Sequence, residues 1–435
     1  MQFSFNKKTF LAVIAVLSVS WLSLNYFVFT QNNLLCFHPD FKAFLDWSWR
    51  GKHERFHMAF GNYMPFYPYV CYLYTLYFDN YEQMLANSFL LKGLIILFDV
   101  FTYAFIISIT KVKNTETVVV LTVMTIFNIS IIYNSVFWGQ VDGIHSMFIL
   151  LTFYFTVKRK WTLIGLFFTF AFFTKIVSVV FLPVFGLFIL NEVLCKRLHK
   201  REFVSIMAVV VCTSLALSLP VILSGNVQEM WTTHKGFITT YHTVSGNAYN
   251  VWVLLTNNVD LMNTGDSSYI FQEISYSTIG LIMFIAFYTV SVWPLFQKLL
   301  KNLKNGTKDP IKTEALLYAC ILVPLMFFYF STKIRERYAH PYLVFITLYC
   351  FYYRRYFFWF LATSIYFLQL ESVLQYTKTL PQVFSNFHSK TSIYSPQLIS
   401  GLFLALIIYL LHLSYLKEND RSLKELNGQF FKNRT

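Results

Sequence analysis

Residues 203–223 read FVSIMAVVVCTSLALSLPVIL, and no charged side chain interrupts them. Lysine and arginine precede this run, and a Ser-Gly-Asn turn follows it. About 20 apolar residues, coiled as a helix, are enough to cross the hydrocarbon core of a bilayer. The run therefore predicts a transmembrane helix, and similar runs recur along the chain.

About twelve such segments lie between charged or turn-forming breaks. Three of them (Gly143–Val157, Trp161–Thr174 and Pro341–Tyr352) are short, so we expect them to tilt or to be sheltered by protein. Residues 161–194 together could also form a hairpin that does not fully cross. The predicted spans are Phe10–Phe29, Met84–Thr110, Thr117–Asn134, Gly143–Val157, Trp161–Thr174, Ile176–Leu194, Phe203–Leu223, Tyr276–Phe296, Glu314–Ser331, Pro341–Tyr352, Tyr356–Gln375 and Leu398–Leu416.

Composition extends this conclusion to the whole chain. Of its 435 residues, 56% are hydrophobic, 20% are aromatic and only 13% are charged, and the mean hydropathy is +0.51. A soluble domain usually carries about 25% charged residues, so a soluble enzyme, a disordered chain and a disulfide scaffold are excluded. We expect an all-α polytopic membrane protein, with one integral membrane domain over residues 1–416 and a cytoplasmic tail over residues 417–435.

The placement of the charges that give the formal net charge of +14 indicates how the chain is oriented in the membrane. With the N-terminus inside, most of the 35 lysines and arginines fall in cytoplasmic segments, as the positive-inside rule requires, so no nucleic-acid partner is needed. Two long loops, residues 30–83 and 224–275, then lie outside, and functional groups are expected on that face. No outer loop contains a glycosylation sequon, which fits a bacterial plasma membrane.

The first outer loop offers two acids. Asp40 follows a proline and opens an amphipathic stretch, and Asp46 lies among aromatic residues. Asp40 suits a helix N-cap and also a general base at the membrane surface, whereas Asp46 is expected to be a satisfied interfacial acid that supports the site. Pro65 and Pro68 lead into an apolar run too short to span, which predicts a helix lying on the membrane surface.

The second outer turn reads WGQVD at residues 138–142. Trp138 marks the membrane interface, and Gln140 and Asp142 present polar atoms at the outer surface. An ordinary helical hairpin does not require this combination, so the turn is a candidate site. Lys175, alone at the outer end of the next hairpin, is expected to join it.

A third outer segment reads TKIRERYAHP at residues 332–341. It places three cations and a histidine outside, against the overall charge bias. Lipid head groups would explain them, and so would a bound phosphate, which arginine binds through paired hydrogen bonds. The candidate binding residues are Lys333, Arg335, Arg337, Tyr338 and His340, with Glu336 as a supporting residue.

Lys92 and Asp99 are two ionisable residues within one predicted span. They are two turns apart and therefore share a helix face. Ionisable groups at this depth usually face protein or water and pair with another group. A packing role within the bundle and a role in the site both fit this placement.

In this order the motifs resemble those of the polyprenol-phosphate-dependent glycosyltransferases of the GT-C superfamily, in the branch of bacterial enzymes related to GPI mannosyltransferase II. The resemblance extends over about residues 37–345 and depends on the ordered series. Arg335 takes the place of the family's usual histidine, and Tyr-Pro-Tyr replaces Tyr-Pro-Pro. The matching positions are Asp40, Tyr67-Pro68, Lys92 with Asp99, Trp138–Asp142, Lys175 with Pro183, Asn250-Val251-Trp252 and Glu336-Arg337-Tyr338.

The resemblance implies transfer of a hexose (mannose or glucose) from a polyprenyl-phosphate donor to a hydroxyl of a glycan, lipid or protein on the extracytoplasmic face, with inversion. It implies a GT-C-like first outer loop containing surface helices, and Asp40 as the general base. Arg337, supported by Arg335 and Lys333, would stabilise the leaving phosphate. Asp142 is a second candidate catalytic acid, which with Gln140 would orient the sugar or the acceptor.

Two alternatives fit the same composition: a lipid-linked oligosaccharide flippase and an enzyme similar to an O-antigen polymerase. Transporters often show inverted repeats and polar sites at mid-membrane. We find no internal repeat, and only Lys92 and Asp99 favour a transporter. The sequence contains no metal-ligand spacing, but some GT-C enzymes use a divalent ion, so a metal cofactor is left open.

Overall fold

A computed structural model describes most of the chain, and 77% of it is helical. The helices are joined by turns and by a few very short strands, so the architecture is all-α. The tail predicted for residues 417–435 lies outside the described part. The residues that the structure describes are 1, 3–31, 38–54, 63–110, 114–228, 230–232, 242–256, 260–271, 273–375 and 392–416.

The helices follow one another along the chain with mostly short connections. A π-helical turn, Ile132–Phe137, continues α7, and a 3₁₀ turn, Ile176–Phe181, precedes α10. The α-helices are α1 (Lys7–Gln31), α2 (Pro39–His53), α3 (Phe66–Thr75), α4 (Tyr81–Ala86), α5 (Phe89–Ile109), α6 (Thr115–Ile126), α7 (Ile129–Ile131), α8 (Asp142–Val157), α9 (Trp161–Thr174), α10 (Leu182–Leu194), α11 (Lys200–Leu223), α12 (Val251–Leu255), α13 (Tyr276–Asn305), α14 (Thr313–Phe330), α15 (Pro341–Tyr353), α16 (Tyr356–Leu374) and α17 (Pro396–Leu416). A second 3₁₀ turn covers Ser392–Tyr394.

Nine helices in the described part are long and apolar enough to cross a membrane. Three further apolar helices, α8, α9 and α15, are shorter, and they correspond to the three segments that the sequence marked as short. The protein is therefore a polytopic helical membrane protein. The count of about twelve membrane-crossing helices stays a prediction.

The bundle has a buried centre and an apolar rim. The most apolar windows of α5 and α14 are 72% and 78% buried, whereas that of α11 is only 11% buried. Around α5 and α14, the short helices α8 and α15 complete the centre, and their side chains are almost all buried. A helix that faces lipid needs no polar stripe, which explains why α11 is apolar on every side.

The two stretches predicted to form surface helices are helical, as α2 and α3, and their position on a membrane surface stays a prediction. Phe41, Phe44, Leu45 and Ser48 of α2 recur at helical spacing and are buried, as the sequence predicted. They pack on α3, where the rings of Phe44 and Tyr67 lie 5.0 Å apart. This contact fixes the position of α2 over the end of the bundle.

The loops collect at two ends of the bundle. At the end that we call the site end, Lys333 lies 3.4 Å from Asp266, and Arg337 lies 3.1 Å from Asp40. Two small sheets form there. In one, β1 (Ser245–Gly246) pairs in parallel with β4 (Ile334–Arg335); in the other, β2 (Tyr269–Phe271) pairs antiparallel with β3 (Ile274–Ser275).

The opposite end, which we call the basic end, is held by one buried acid. Glu192 is fully buried and accepts hydrogen bonds from Arg159 Nε at 2.6 Å and Arg197 Nε at 3.0 Å. Arg197 also donates to the carbonyl of Lys308 at 2.9 Å. These contacts join three of the segments that the charge pattern assigns to the cytoplasm.

Candidate functional site

Helix α2 carries Asp40 into the site end. Pro39 fits the first helical turn because its φ is already helical and its missing N–H is not needed there. His38 is the N-cap, and its Nδ1 accepts a 3.2 Å hydrogen bond from the Asp40 amide. The sequence had left capping open as a role for Asp40. Since His38 has that role, the Asp40 carboxylate is available for other contacts.

The two carboxylate oxygens of Asp40 have different surroundings. Oδ2 accepts hydrogen bonds from Gln140 Nε2 at 3.0 Å and from Arg337 Nη1 at 3.1 Å. No described residue donates a hydrogen bond to Oδ1, and the side chain is 29% exposed. One oxygen is therefore fixed by protein, while the other faces open space.

The turn that supplies Gln140 leaves the π-helical segment. The Trp138 amide bonds to the carbonyl of Tyr133 at 3.0 Å, and Gly139 follows at φ +74°. A Cβ on Gly139 would lie 2.8 Å from the Phe41 ring, so only glycine fits. Gln140 then points its amide at Asp40.

His38 also holds Trp138. The indole Nε1 donates to His38 Nδ1 at 3.0 Å, and an indole N–H can only donate. Nδ1 must therefore carry a lone pair, so the imidazole is neutral. Burial lowers the pKa of His38, although the Asp40 carboxylate opposes that shift, and the neutral form agrees with the two hydrogen bonds that Nδ1 accepts.

Lys92 and Asp99 do not pair with each other. Lys92 Nζ donates to the carbonyls of Val136 and Phe137 at 3.2 and 2.9 Å, and Asp99 accepts from the hydroxyl of Ser135. Both residues therefore join α5 to the segment that leads into the turn at 138–142. Their positions support the site from behind, and neither lines the cavity described below.

Asp142 and Lys175 form a buried ion pair. The Lys175 Nζ lies 2.6 Å from Asp142 Oδ1, and both side chains are less than a tenth exposed. Lys175 is placed where the chain becomes extended after α9, and its ammonium lies 5.6 Å from the ring centres of Tyr63 and Tyr338. Burial lowers the pKa of Lys175, and the Asp142 carboxylate opposes that shift.

Arg337 is the centre of the cluster. Its Nη1 donates to Asp40 and also to Glu336 Oε1, both at 3.1 Å, and its Nε lies 3.8 Å from Asp142 Oδ2. The guanidinium carbon is 5.2 Å from the ring centre of Trp138. Three carboxylates and an indole thus fix one arginine, with Glu336 in the supporting position that the sequence gave it.

The other two cations of the predicted cluster, Lys333 and Arg335, do not line the cavity. Lys333 has φ +63°, and its Nζ is 3.4 Å from Asp266 Oδ2. Arg335 belongs to β4, where its side chain passes over Gly246, and its Nε is 3.5 Å from Glu336 Oε2. Of the three, Arg337 alone lines the cavity among the described residues.

Two further predicted residues lie at the edges of this cluster. His340 is fully buried, and neither ring nitrogen has a hydrogen-bond partner among the described residues. Burial lowers the pKa of His340 to about 4, so the ring is neutral at pH 7. Asp46 accepts a hydrogen bond from the hydroxyl of Tyr81, which ties α2 to α4 outside the cavity.

A cavity of about 160 Å³ opens between α2, the start of the 3₁₀ turn and the 337–338 loop. That volume corresponds to roughly five water molecules at the density of the liquid. Its ionisable lining consists of Asp40, Lys175 and Arg337, and its aromatic lining of Phe44, Trp47, Tyr63 and Tyr338. Burial raises the pKa of Tyr63, so its phenol stays neutral and can donate a hydrogen bond.

The described residues that line the cavity form no metal-binding group. Within the described ranges, no group of three or more His, Cys, Asp or Glu side chains could hold a metal ion. The acids of the site are instead engaged by Arg337 and Lys175. The chemistry available to these residues is proton transfer at Asp40 and anion binding at the two cations.

Several residues of the site were not predicted from the sequence. His38 is one, although its place directly before Pro39-Asp40 could have identified it. Tyr63 is another, and His145, one turn after Asp142 on α8, is a third. The sequence signal for His145 was its spacing of three residues from Asp142. A single histidine in an apolar helix is not by itself enough to predict a functional role.

Comparison with known proteins gives no family for this chain. No protein-family model matches it, and no curated protein matches it significantly.

Proposed function

We propose that this protein is an integral membrane glycosyltransferase, which moves a hexose from a polyprenyl-phosphate donor to a hydroxyl acceptor. One observation carries the proposal: a single cavity in a membrane bundle is lined by a partly exposed carboxylate, two cations and an aromatic wall. A carboxylate can take a hydroxyl proton, cations can hold a phosphate, and aromatic rings can pack on a sugar. These are the three functions that the reaction needs.

Asp40 is the proposed general base. Its Oδ2 is held by Gln140 and Arg337, so Oδ1 is the oxygen that faces an acceptor hydroxyl. A base must lie within about 3 Å of the proton that it removes, and an acceptor in the cavity can reach Oδ1. Gln140 acts as a positioning residue because it stops the carboxylate from rotating.

Arg337 and Lys175 are the proposed phosphate ligands. Both line the cavity, and both are less than a tenth exposed, so their charges are poorly screened by water. Arg337 also keeps one N–H, on Nε, without a hydrogen-bond partner. That N–H lies 3.8 Å from Asp142 Oδ2 and so faces away from the cavity lining. A phosphate oxygen in the cavity, beside the two cations, would gain stabilisation as the phosphate departs.

The reaction balances with these groups alone. The acceptor oxygen attacks the anomeric carbon while its proton passes to Asp40 Oδ1. The bond between the anomeric carbon and the phosphate oxygen breaks, and its electron pair stays on the phosphate, next to Arg337 and Lys175. The products are a glycoside with inverted configuration and a polyprenyl phosphate. The proton on Asp40 then returns to solvent through the exposed side of the carboxylate.

The location follows from the charge pattern. We propose that the site end faces the extracytoplasmic side of a bacterial plasma membrane, because the basic end carries the clustered lysines and arginines. A lipid-linked donor could reach the cavity from the bilayer, since Ile176 and Val177 line it at the start of the 3₁₀ turn.

Transfer and flipping can be told apart in one preparation. The purified protein is reconstituted into vesicles with a polyprenyl phosphate that carries a radiolabelled hexose, together with a mixture of hydroxyl acceptors. A glycosyltransferase releases the label into a water-soluble or newly lipid-linked glycoside, in proportion to the protein added. Movement of intact donor between leaflets without a new glycosidic bond would contradict the proposal and would support the flippase.

A further inference from the structure

A second group of polar side chains lies behind the cavity, and of these only Gln140, through its Nε2 bond to Asp40, takes part in the steps above. Asp142 does not line the cavity and pairs with Lys175, which does. His145 follows Asp142 by one helical turn, and His340 is the N-cap residue directly before α15. Each histidine is close enough to Asp142 and Lys175 to interact with both electrostatically. We call Gln140, Asp142, His145 and His340 the inner polar layer.

The inner polar layer is buried and poorly satisfied. None of its residues is more than 2% exposed. Six of its polar atoms have no hydrogen-bond partner in the described part of the chain: Gln140 Oε1, Asp142 Oδ2, and both ring nitrogens of His145 and of His340. Leaving a buried polar atom without a partner is destabilising, so the layer is a costly arrangement for a protein interior.

Buried polar side chains elsewhere in the bundle are of two kinds. Some have partners: Tyr318 bonds to Tyr349 at 3.1 Å, and Trp359 bonds to Thr347 at 3.0 Å. Single hydroxyls such as those of Ser88 and Tyr103 have none in the described part of the chain, but the inner polar layer brings six such atoms together beside a cavity. Buried polar groups without protein partners usually bind water or a ligand. Their concentration next to one cavity indicates that the missing partners come from what the cavity binds.

The hydrogen-bonding capacity of the six atoms indicates which class of ligand can satisfy them. Gln140 Oε1 and Asp142 Oδ2 can only accept hydrogen bonds, and a neutral imidazole both donates and accepts. An anion such as phosphate would face two acceptors of negative or partially negative charge, and a lipid tail would satisfy none of the six. A ligand with several hydroxyl groups can donate to the acceptors and accept from the imidazoles.

We propose that the inner polar layer binds the hydroxyl groups of the transferred sugar, and that Lys175 marks its border with the phosphate subsite. This inference rests on the proposed function, because the sugar is the one attached to the donor phosphate. Lys175 contacts both sides: the residue lines the cavity, and its ammonium donates to Asp142. A phosphate that attracts Lys175 would free Asp142 Oδ1 as a further acceptor for sugar hydroxyls.

The test replaces each histidine by an apolar residue of similar size. His145→Leu and His340→Leu remove unsatisfied polar atoms, so the melting temperature of the empty protein should stay the same or rise. The matched control is Tyr318→Phe, which deletes a buried hydroxyl that has a partner, and it should lower the melting temperature. A histidine variant that melts well below wild type would overturn the inference, because its ring would then have stabilising partners in the empty protein.

The second readout is binding of two probes, bare polyprenyl phosphate and polyprenyl phosphate carrying the hexose. Wild type should bind the sugar-bearing probe more tightly. Each leucine variant should lose about tenfold of that preference, the equivalent of about 1.4 kcal/mol, with the affinity for bare polyprenyl phosphate unchanged. His145→Gln and His340→Gln, which keep a donor and an acceptor, should recover part of the preference.

The outcomes separate this inference from the proposed function. If wild type neither binds these probes nor transfers the sugar, the proposed function fails. If wild type binds and transfers, but the leucine variants keep the full preference for the sugar-bearing probe, the inner polar layer is not the sugar subsite and only this inference fails.

Discussion

Asp40 Oδ2 accepts hydrogen bonds from Gln140 and Arg337, whereas no described residue donates one to Oδ1. A carboxylate that is held on one oxygen cannot rotate freely. Its other oxygen therefore keeps a constant direction, and Asp40 lines the cavity together with Lys175 and Arg337. The geometry of the proposed base beside the two proposed phosphate ligands depends on these few contacts.

The strongest residue-level prediction concerns Arg337. Arg337→Ala should weaken binding of a polyprenyl phosphate by about 1.5–3 kcal/mol, because a charged hydrogen bond of this kind has roughly that value. Arg337→Lys should recover only part of the affinity, since an ammonium lacks the guanidinium fork. The measurement is the dissociation constant in detergent, with unfolded material removed by gel filtration.

Lys333→Ala provides the control for Arg337. Lys333 contacts Asp266 in the loop before β2 and does not line the cavity, so its loss should leave the affinity within about twofold of wild type. Equal losses in both variants would mean that the cations act through a diffuse field at the head groups, and Arg337 would have no special role.

Single residues of the site were predictable where their sequence context was unusual. The sequence predicted four of them, because polar residues beside apolar membrane spans usually have a structural or functional role: Asp40, Gln140, Asp142 and Arg337. Their contacts could not be predicted, since Arg337 and Asp40 are almost 300 positions apart in the sequence. The direction of Arg335 likewise depends on the pairing of β4 with β1, which no local pattern reveals.

At the scale of elements, α5 fixes the turn at residues 138–142. Lys92 of α5 donates to the carbonyls of Val136 and Phe137, which end the π-helical segment, and its ammonium lies 4.8 Å from the Phe41 ring centre. Lys92 Cε would also lie 3.1 Å from a Cβ on Gly139. The lysine therefore packs against the turn and bonds to the segment that enters it.

Replacing Lys92 by methionine tests this positioning role. Lys92→Met keeps the length of the side chain but leaves two buried carbonyls without their donor. The turn should shift, and kcat should fall by about tenfold or more, since small displacements of positioning groups have effects of that order. Binding of bare polyprenyl phosphate should change little, because Lys92 does not line the cavity.

Lys52→Met is the matched control for Lys92. Lys52 Nζ donates to the carbonyls of Phe78 and Thr75, so it closes a helix end in the same way, but away from the cavity. Lys52→Met should lower the stability of the protein without lowering kcat per folded molecule. A loss of kcat equal to that of Lys92→Met would show that general destabilisation, and not the turn, explains both variants.

The helices themselves were largely predictable, because apolar runs decide them. The prediction did not include the π-helical turn at Ile132–Phe137 or the extended break at Lys175. Both depend on tertiary contacts, the first through Lys92 and Asp99 and the second through Asp142. A hydropathy pattern contains no information on such breaks inside apolar sequence.

For the whole molecule, the sorting of loops onto two ends agrees with the charge pattern. Segments assigned to the cytoplasm meet around Glu192, and segments assigned to the outside meet around Arg337. The sequence could predict this alternation because each span reverses the side of the next loop. Which end faces the cytoplasm is a prediction from the positive-inside rule.

Cysteine labelling tests that orientation. Ser267→Cys at the site end and Asn305→Cys at the basic end both replace exposed residues. Each is made in a variant that lacks Cys36 and the exposed Cys212, while the buried cysteines stay. A membrane-impermeant maleimide added to intact cells should label position 267 and not position 305. The reverse result would place the site in the cytoplasm.

The central claim is that Asp40 is the base of a sugar transfer, and Asp40→Asn tests it most directly. The asparagine oxygen can still accept from Gln140 and Arg337, so the fold and donor binding should persist, while the proton can no longer be taken. Transfer of radiolabelled hexose from a polyprenyl phosphate donor in vesicles should fall by about 10²–10⁴-fold, and the control Asp46→Asn should lose far less. If Asp40→Asn remains fully active while Asp142→Asn is inactive, the base lies in the turn at residues 138–142 and the account is contradicted.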